Sequence, residues 1–273
     1  MGLFDGFKRR KKEAAQLGEI LLADMHSHLL PGIDDGAPTM DHTIGMLRKF
    51  EALGYRKLIL TPHVMSGVYD NTSEIILGKL EEVRTVSREL GLNLQLEASA
   101  EYFFDETLFE RIRKNDLLPF AGNHILFEFS FRNQPSQVED LVFALRSAGY
   151  QPVLAHFERY LYYHPSVAMA QSLRERGCAI QVNLNAFTGH YGPDVKNQAV
   201  RLLKAGFIDF LGSDCHRIQH LESIERALKE PLFHQLLELQ VKNSSLLYVY
   251  RPFLLRIKIT DFSLFCRGKS YFS

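Results

Sequence analysis

Between Leu21 and Leu247, short apolar runs rich in Val, Ile, Leu and Phe stop again and again at a polar cluster. The runs are Ile20–Met25, Lys57–Leu60, Leu92–Ala98, Ile125–Phe129, Pro152–Ala155, Ala179–Leu184 and Ile208–Leu211. Each is too short for a typical helix and is bounded by turn-forming residues, which suits a parallel strand buried on both faces. The segments between them carry helical spacing. Met40, Ile44, Leu47 and Phe50 step by one turn, as do Val195, Ala199, Leu202 and Leu203. Thr39, Thr72 and Ser136 are expected N-caps, and Pro165 and Pro193 suit a first helical turn. Repeated strand–helix alternation predicts an α/β fold with a parallel sheet.

No second composition regime interrupts this span, so residues 20–247 are expected to form one domain. An apolar share of 46% is enough for a sizeable core. Lys+Arg and Asp+Glu balance at 32 each, which gives no global pull toward nucleic acid. No apolar run approaches the ~18–20 residues of a membrane span. Three cysteines make no disulfide framework and point to a reducing compartment. The stretch Gly2–Phe7 is too short for a secretory signal, and its basic cluster follows it instead of preceding it. A cytoplasmic location is the resulting expectation.

Residues 1–19 form a basic N-terminal extension. Leu3, Phe4 and Phe7 precede Lys8, Arg9, Arg10, Lys11 and Lys12. The plain reading is a solvated terminus; the sharper one is weak membrane-surface contact through residues 1–12. Residues 248–273 are an apolar and basic tail to which the sequence assigns no role.

The ionisable residues fall at the ends of the runs. The first ends in Asp24-Met25-His26-Ser27-His28, followed by Pro31-Gly32-Ile33-Asp34-Asp35-Gly36. The second ends in Thr61-Pro62-His63, and the third leads into Ala100-Glu101-Tyr102. Glu128 lies on the fourth, His156 and Arg159 follow the fifth, and Asp214-Cys215-His216 follows the seventh. In a parallel α/β barrel these ends converge on one face, where active sites sit. Taken singly, each residue is weak evidence: Asp34 or Asp35 before glycine is a turn former, and a lone buried His is commonly structural. The set is stronger. His26 and His28, like Asp214 and His216, are two apart and point to one side of an extended strand. Glu128 on an apolar run needs a cation or a proton.

Imidazole plus carboxylate without thiolate suits Mn, Fe or Zn. Asp35, Glu101, Glu128 and Asp214 bring four negative charges, while neutral His26, His28, His63, His156 and His216 bring none. Two divalent ions would leave such a site neutral and three would leave it positive, which favours a phosphate ester over an amide as substrate. A cysteine-based phosphatase is excluded, because Leu184, Leu221 and Phe272 stand where Cys178, Cys215 and Cys266 would need Arg. Cys215 should point away from its ligand neighbours.

The stretches HSHLLPGIDDG, TPH, AEYFFD, FEFS, AHFERY, QVNLNA and GSDCH, in order from Asp24 to His216, resemble the PHP (polymerase and histidinol phosphatase) superfamily. More closely, they resemble the bacterial metal-dependent protein-tyrosine phosphatases of capsule and exopolysaccharide loci, the CpsB/CapC type. Phe157 stands where many such proteins have Pro. The resemblance implies a distorted (β/α)7 barrel with a metal site at the C-terminal strand ends and two to three ions, Mn2+ first. One ion would take His26, His28, Glu101 and Asp214; a second Glu101, Glu128 and His156; a third Asp35, His63 and His216. Asp34 is the residue that could exchange roles with Asp35.

The implied activity is phosphotyrosine hydrolysis by a metal-bridged hydroxide, on a partner such as the Tyr-rich tail of a bacterial tyrosine kinase. Arg159, with its planar fork, is expected to clamp a phosphoryl oxygen; the competing reading is a surface ion pair with Glu158. Arg217 and His220 are expected to add charge or protonate the leaving tyrosinate. Tyr102 and Tyr160 read as wall packing. The alternatives are a small-molecule phosphomonoesterase such as histidinol phosphatase, and a non-catalytic metal-binding regulatory module. Homo-oligomerisation remains open.

Overall fold

The structure, a computed structural model, describes residues 21–247; the expectations placed on 1–19 and 248–273 lie outside the described residues. Nine strand segments run through it: β1 (Ala23–Asp24), β2 (Lys57–Leu60), β3 (His63–Val64), β4 (Gln95–Ala98), β5 (Glu101–Phe103), β6 (His124–Glu128), β7 (Gln151–Leu154), β8 (Ala179–Asn183) and β9 (Phe210–Gly212). All pair in parallel, in the orders β1-β2-β4 and β3-β5-β6-β7-β8-β9. β3 continues β2 after a break at Thr61-Pro62, where proline has no N–H for a ladder. β5 likewise continues β4 past Ser99-Ala100. Bonds from Ser99 N to Leu60 O (2.9 Å) and from Glu101 N to Pro62 O (3.0 Å) carry the pairing across the breaks. The segments therefore follow the expected succession of parallel strands.

The two free edges meet where β1 and β9 run on. Ser27 and Cys215 form a parallel bridge, flanked by bonds from Asp214 N to His26 O and from His28 N to Cys215 O, both 2.9 Å. Next to it the Asp24 carboxylate accepts from Ser213 N and Oγ, both at 2.8 Å. At the far end the Asn243 amide donates to Ala23 O (3.0 Å) and Leu211 O (2.7 Å). Side chains thus join β1 to β9 where the strand ladders do not.

Helices α1 (Met40–Ala52), α2 (Ser73–Glu89), α3 (Glu106–Lys114), α4 (Val138–Ser147), α5 (Ala168–Glu175), α6 (Leu184–Thr188), α7 (Pro193–Ala205), α8 (Ile218–Ala227) and α9 (Pro231–Leu237) accompany the strands. Alternation along each strand divides the core in two. Leu58, Leu60, Ile125, Phe127, Ile180, Val182 and Leu211 pack outward with the helices. Ile59, Leu126, Val153 and Phe210 form a separate inner cluster with Phe120 and Leu246. Both faces are buried, so the runs read as continuous apolar stretches instead of alternating ones. Burying each such Leu, Ile or Phe contributes about 1.5–3 kcal/mol.

Thr39 and Thr72 occupy N-cap positions, and the Thr72 hydroxyl accepts from Ile75 N at 3.3 Å. Pro193 opens α7 as expected. Two expectations need correction. Gln137, not Ser136, precedes α4. Pro165 lies ahead of α5, which starts at Ala168; there the Ser166 hydroxyl accepts from Ala168 N at 3.0 Å and supplies the start signal assigned to the proline. No helix among the described residues is long and apolar enough to cross a membrane.

Candidate metal centre

The strand ends place nine side chains around one volume. His26 and His28 leave β1, His63 begins β3, Glu101 begins β5 and Glu128 ends β6. His156 follows β7, and Asp214 and His216 follow β9. Asp35 arrives from the loop after β1. His26, His28 and Glu101 are fully buried, Glu128, His156 and Asp214 nearly so, and Asp35 is half exposed. All nine sequence-expected ligands meet.

Glu101 is central. Its Oε2 lies 3.1 Å from His26 Nε2, 3.3 Å from His28 Nε2 and 3.3 Å from His63 Nδ1, and its Oε1 lies 2.9 Å from His156 Nε2. Asp214 Oδ1 lies 3.5 Å from His26 Nε2 and 3.6 Å from His28 Nε2. Glu128 Oε1 is 3.1 Å from His63 Nδ1, and Asp35 Oδ1 is 3.4 Å from His216 Nε2. Donor atoms bound to one ion at ~2.1 Å stand about 3.0 Å apart at right angles and about 3.4 Å apart at tetrahedral angles. The observed separations fall around that range. Among the described residues, four overlapping groups bring one donor atom from each member within 4.8 Å of the others: His28-Asp35-His63-His216, His26-His28-Asp214, His26-Glu101-His156 and His63-Glu101-Glu128.

The hydrogen bonds behind these residues show which atoms face the centre. His28 Nδ1 meets Asp34 Oδ2 at 2.7 Å, His26 Nδ1 meets Gln181 Oε1 at 3.1 Å, and His216 Nδ1 meets the Asp214 carbonyl at 3.0 Å. Assigning the proton to Nδ1 in each case, from those acceptors, leaves Nε2 as a bare lone pair. His26 Nε2 and His28 Nε2 then face each other at 3.2 Å, an arrangement that calls for a cation. Buried Glu101 Oε2 and His63 Nδ1 also lack hydrogen-bond partners. The donor set fits divalent metal ions.

Electrostatics agree. Burial disfavours a charged His26, yet Glu101 and Asp214 push its pKa up to about 10. Burial also opposes charge on His216, which Asp214 and Asp35 still raise to about 9. Burial would raise Asp214 and Glu101, but the surrounding imidazoles hold both well below the carboxylate range. The hydrogen bond from His216 brings Asp35 to about 2. The pocket binds positive charge, as protons or as metal.

Local backbone aims the candidate ligands. His156 (φ 32°) and Asp214 (φ 49°) occupy the left-handed region, which costs a non-glycine residue roughly 1–3 kcal/mol. Gly36 passes so close to His28 that a Cβ would lie 2.1 Å from its carbonyl oxygen. Gly36 N donates to Asp34 Oδ1 at 2.9 Å, which sets the carboxylate against His28. Asp34 therefore stands behind the candidate ligands, while Asp35 lines the cavity.

Arg159 lines the 280 Å³ cavity over this cluster. Its Nη1 lies 3.3 Å from Asp214 Oδ2; the buried Glu158 carboxylate instead accepts from Asn183 N at 3.0 Å. Arg217 Nε donates to His220 Nε2 at 3.1 Å, and His220 Nδ1 lies 3.2 Å from the Asp214 carbonyl. Burial, with His216 and Arg217 adding, pushes His220 down to about 4. Tyr102 and Tyr160 are buried, accepting from Leu118 N and Phe129 N. Cys215 Sγ turns away to Met46 Sδ, 3.5 Å off.

Sequence reasoning missed several residues. Gln181 Nε2 donates to Asn183 Oδ1 (2.8 Å), and Asn183 Nδ2 donates to Asp214 Oδ2 (2.7 Å). Two amides spaced i, i+2 on a buried strand were the available signal. Phe131, His190 and Tyr191 also line the cavity, from loops without a distinguishing pattern.

Residues 22–229 match the family model described as capsular polysaccharide synthesis, CpsB/CapC. The tyrosine-protein phosphatase YwqE of Bacillus subtilis is 29% identical over 231 residues, covering 83% of this chain and 91% of that protein. The putative tyrosine-protein phosphatase CapC of Staphylococcus aureus is 24% identical, covering 82% and 90%. A crystal structure from work on YwqE of Bacillus subtilis and CpsB of Streptococcus pneumoniae, described as unique metal-dependent tyrosine phosphatases, superposes with a TM-score of 0.73. It is 28% identical, with 84% of this chain and 96% of that chain covered.

Proposed function

The chain belongs to the CpsB/CapC family of capsular polysaccharide synthesis, and on that premise we propose that it is a metal-dependent protein-tyrosine phosphatase. The observation that carries this reading is the buried set of imidazoles and carboxylates with lone pairs turned on one another beside an arginine. Its physiological substrate would be a phosphotyrosine protein, and a bacterial tyrosine kinase governing capsule or exopolysaccharide synthesis in the cytoplasm is the partner we infer.

We infer two to three ions. His26, His28, Glu101 and Asp214 would hold one, Glu101, Glu128 and His156 a second, and Asp35, His63 and His216 a third. We take Mn2+ first, with Fe and Zn as the alternatives that imidazole and carboxylate donors also suit. When bound, such ions supply an activated water at neutral pH and offset the phosphate charge.

The chain's own residues do the rest. Arg159 presents planar N–H groups to a non-bridging phosphoryl oxygen. Asp34 and Gln181 fix the rotamers of His28 and His26, so the donors are positioned before substrate arrives. His220, engaged at both ring nitrogens, orients Arg217, whose charge would then favour the departing phenolate oxygen.

The test is turnover of a phosphotyrosine peptide and of histidinol phosphate, before and after chelation, alongside elemental analysis. Release of phosphate from the peptide, lost on chelation and restored by Mn2+, is the expected outcome. Undiminished rate after metal removal would refute the metal role. Preference for histidinol phosphate would replace the substrate assignment, and metal binding without turnover of either would leave a regulatory module.

A further inference from the structure

Arg159 is held by more than its ion pair. Its guanidinium carbon lies 4.2 Å from the centroid of the Phe131 ring and 4.7 Å from that of Tyr191. The rings come from separate loops, one after β6 and one after α6. Phe131 bears no polar atom; it packs on the buried His156 and Tyr160 rings, with centroids 5.3 and 5.7 Å away, yet stays 40% exposed at the cavity wall beside Arg159. Tyr191 is anchored through its hydroxyl, 3.3 Å from Asn183 Nδ2 and 3.5 Å from Asp214 Oδ2.

One N–H group of Arg159, at Nη1, already reaches Asp214 Oδ2 at 3.3 Å, and without lateral support the rest of the guanidinium is free to turn onto the same carboxylate. The arginine also carries roughly 2 kcal/mol of rotamer entropy to be lost on capturing a phosphate. A guanidinium resting on aromatic faces keeps its N–H groups, which lie in its own plane, available to an anion. We propose that Phe131 and Tyr191 are positioning residues that hold the Arg159 guanidinium ready for the phosphoryl group, and that Phe131 acts on the substrate only through Arg159. The substrate part of this inference rests on the phosphatase reading; the anion-binding part does not.

The experiment is a double-mutant cycle on the full-length, Mn2+-loaded protein, using Phe131→Ala, Arg159→Ala and the pair. Calorimetry with inorganic phosphate reads binding, and KM and kcat are measured with an aryl and an alkyl phosphate. Phe131→Ala is expected to weaken phosphate binding on the order of tenfold, with KM rising alike for both esters and metal content unchanged. Phe131→Tyr, which keeps the ring, should restore binding. In the Arg159→Ala background the Phe131 effect should vanish. An equal loss in that background, a loss confined to the aryl ester, displaced metal, or a wild-type protein that binds no phosphate would each overturn the proposal. A wild type that binds phosphate but hydrolyses no phosphotyrosine would sink the phosphatase reading alone, because the binding cycle would still decide the clamp.

Discussion

Replacing Asp34 with Asn tests whether the residues behind the cluster set its affinity. The Asp34 side chain is fully buried and meets three donors: His28 Nδ1 at 2.7 Å, Gly36 N at 2.9 Å and His63 N at 3.2 Å. An asparagine of the same shape can accept on one side only. In either orientation its NH2 faces Gly36 N–H or the pair from His28 and His63. With the NH2 toward Gly36 two N–H donors confront each other and the charge on His28's acceptor is lost; with it toward His28 the imidazole must move its proton to Nε2, which removes the lone pair aimed at the cluster. Loss of such an orienting partner typically costs 10–100-fold in metal affinity, about 1.4–2.7 kcal/mol. Competition against a chromogenic chelator, with Mn2+ as titrant, measures it directly. Asp35→Asn is the companion, since its loss should remove an ion held with His63 and His216 and leave the others. Unaltered Mn2+ affinity in Asp34→Asn, at unchanged thermal stability, would refute the assignment of Asp34 as an orienting group.

Metal binding near pH 7 should release protons, because His26 and His216 titrate near 10 and 9 without metal; calorimetric heats that do not vary with buffer ionisation enthalpy would contradict this. The same raised values stabilise the metal-free chain fully below their unfolded value of 6.5 and are lost as pH rises through about 9–10. Its Tm should therefore fall across that window while the Mn2+ form holds, and parallel curves would argue against the coupling. Gly36→Ala should destabilise by about 3 kcal/mol or more in urea melts, since the 2.1 Å approach to the His28 carbonyl leaves no room for a methyl group. Cys215→Ala should keep most of its turnover, and loss to background would reopen thiol chemistry.

What was legible follows from chemistry that leaves a pattern. The members of the His-x-His and Asp-x-His pairs sit two residues apart at the close of apolar runs; extended backbone turns His26 and His28 to one side, whereas the left-handed Asp214 (φ 49°) adds a turn that the spacing does not reveal. Glu128 stood out because an apolar strand does not carry a carboxylate without cause. Asp34 and Asp35 were not separable, because their roles depend on how tightly Gly36 approaches His28, and that is a backbone property. Gln181 and Asn183 left a fainter trace as amides on a buried strand. Phe131 and Tyr191 left none, since an aromatic residue in a loop looks alike whether it packs on a guanidinium or on nothing. The breaks between β2 and β3 and between β4 and β5 were hidden for a related reason: the apolar pattern records burial, and burial continues through the break.

The join between β1 and β9 has a consequence for how the molecule is assembled. Its backbone bridge, Ser27 with Cys215, is bracketed by His26 and His28 on one side and Asp214 and His216 on the other. Cations held by those four would therefore also act as a clasp on the cylinder, fastening the earliest staves to the last. Stripping them should loosen amides along this one suture before the remainder of the sheet, a difference that exchange with heavy water resolves residue by residue.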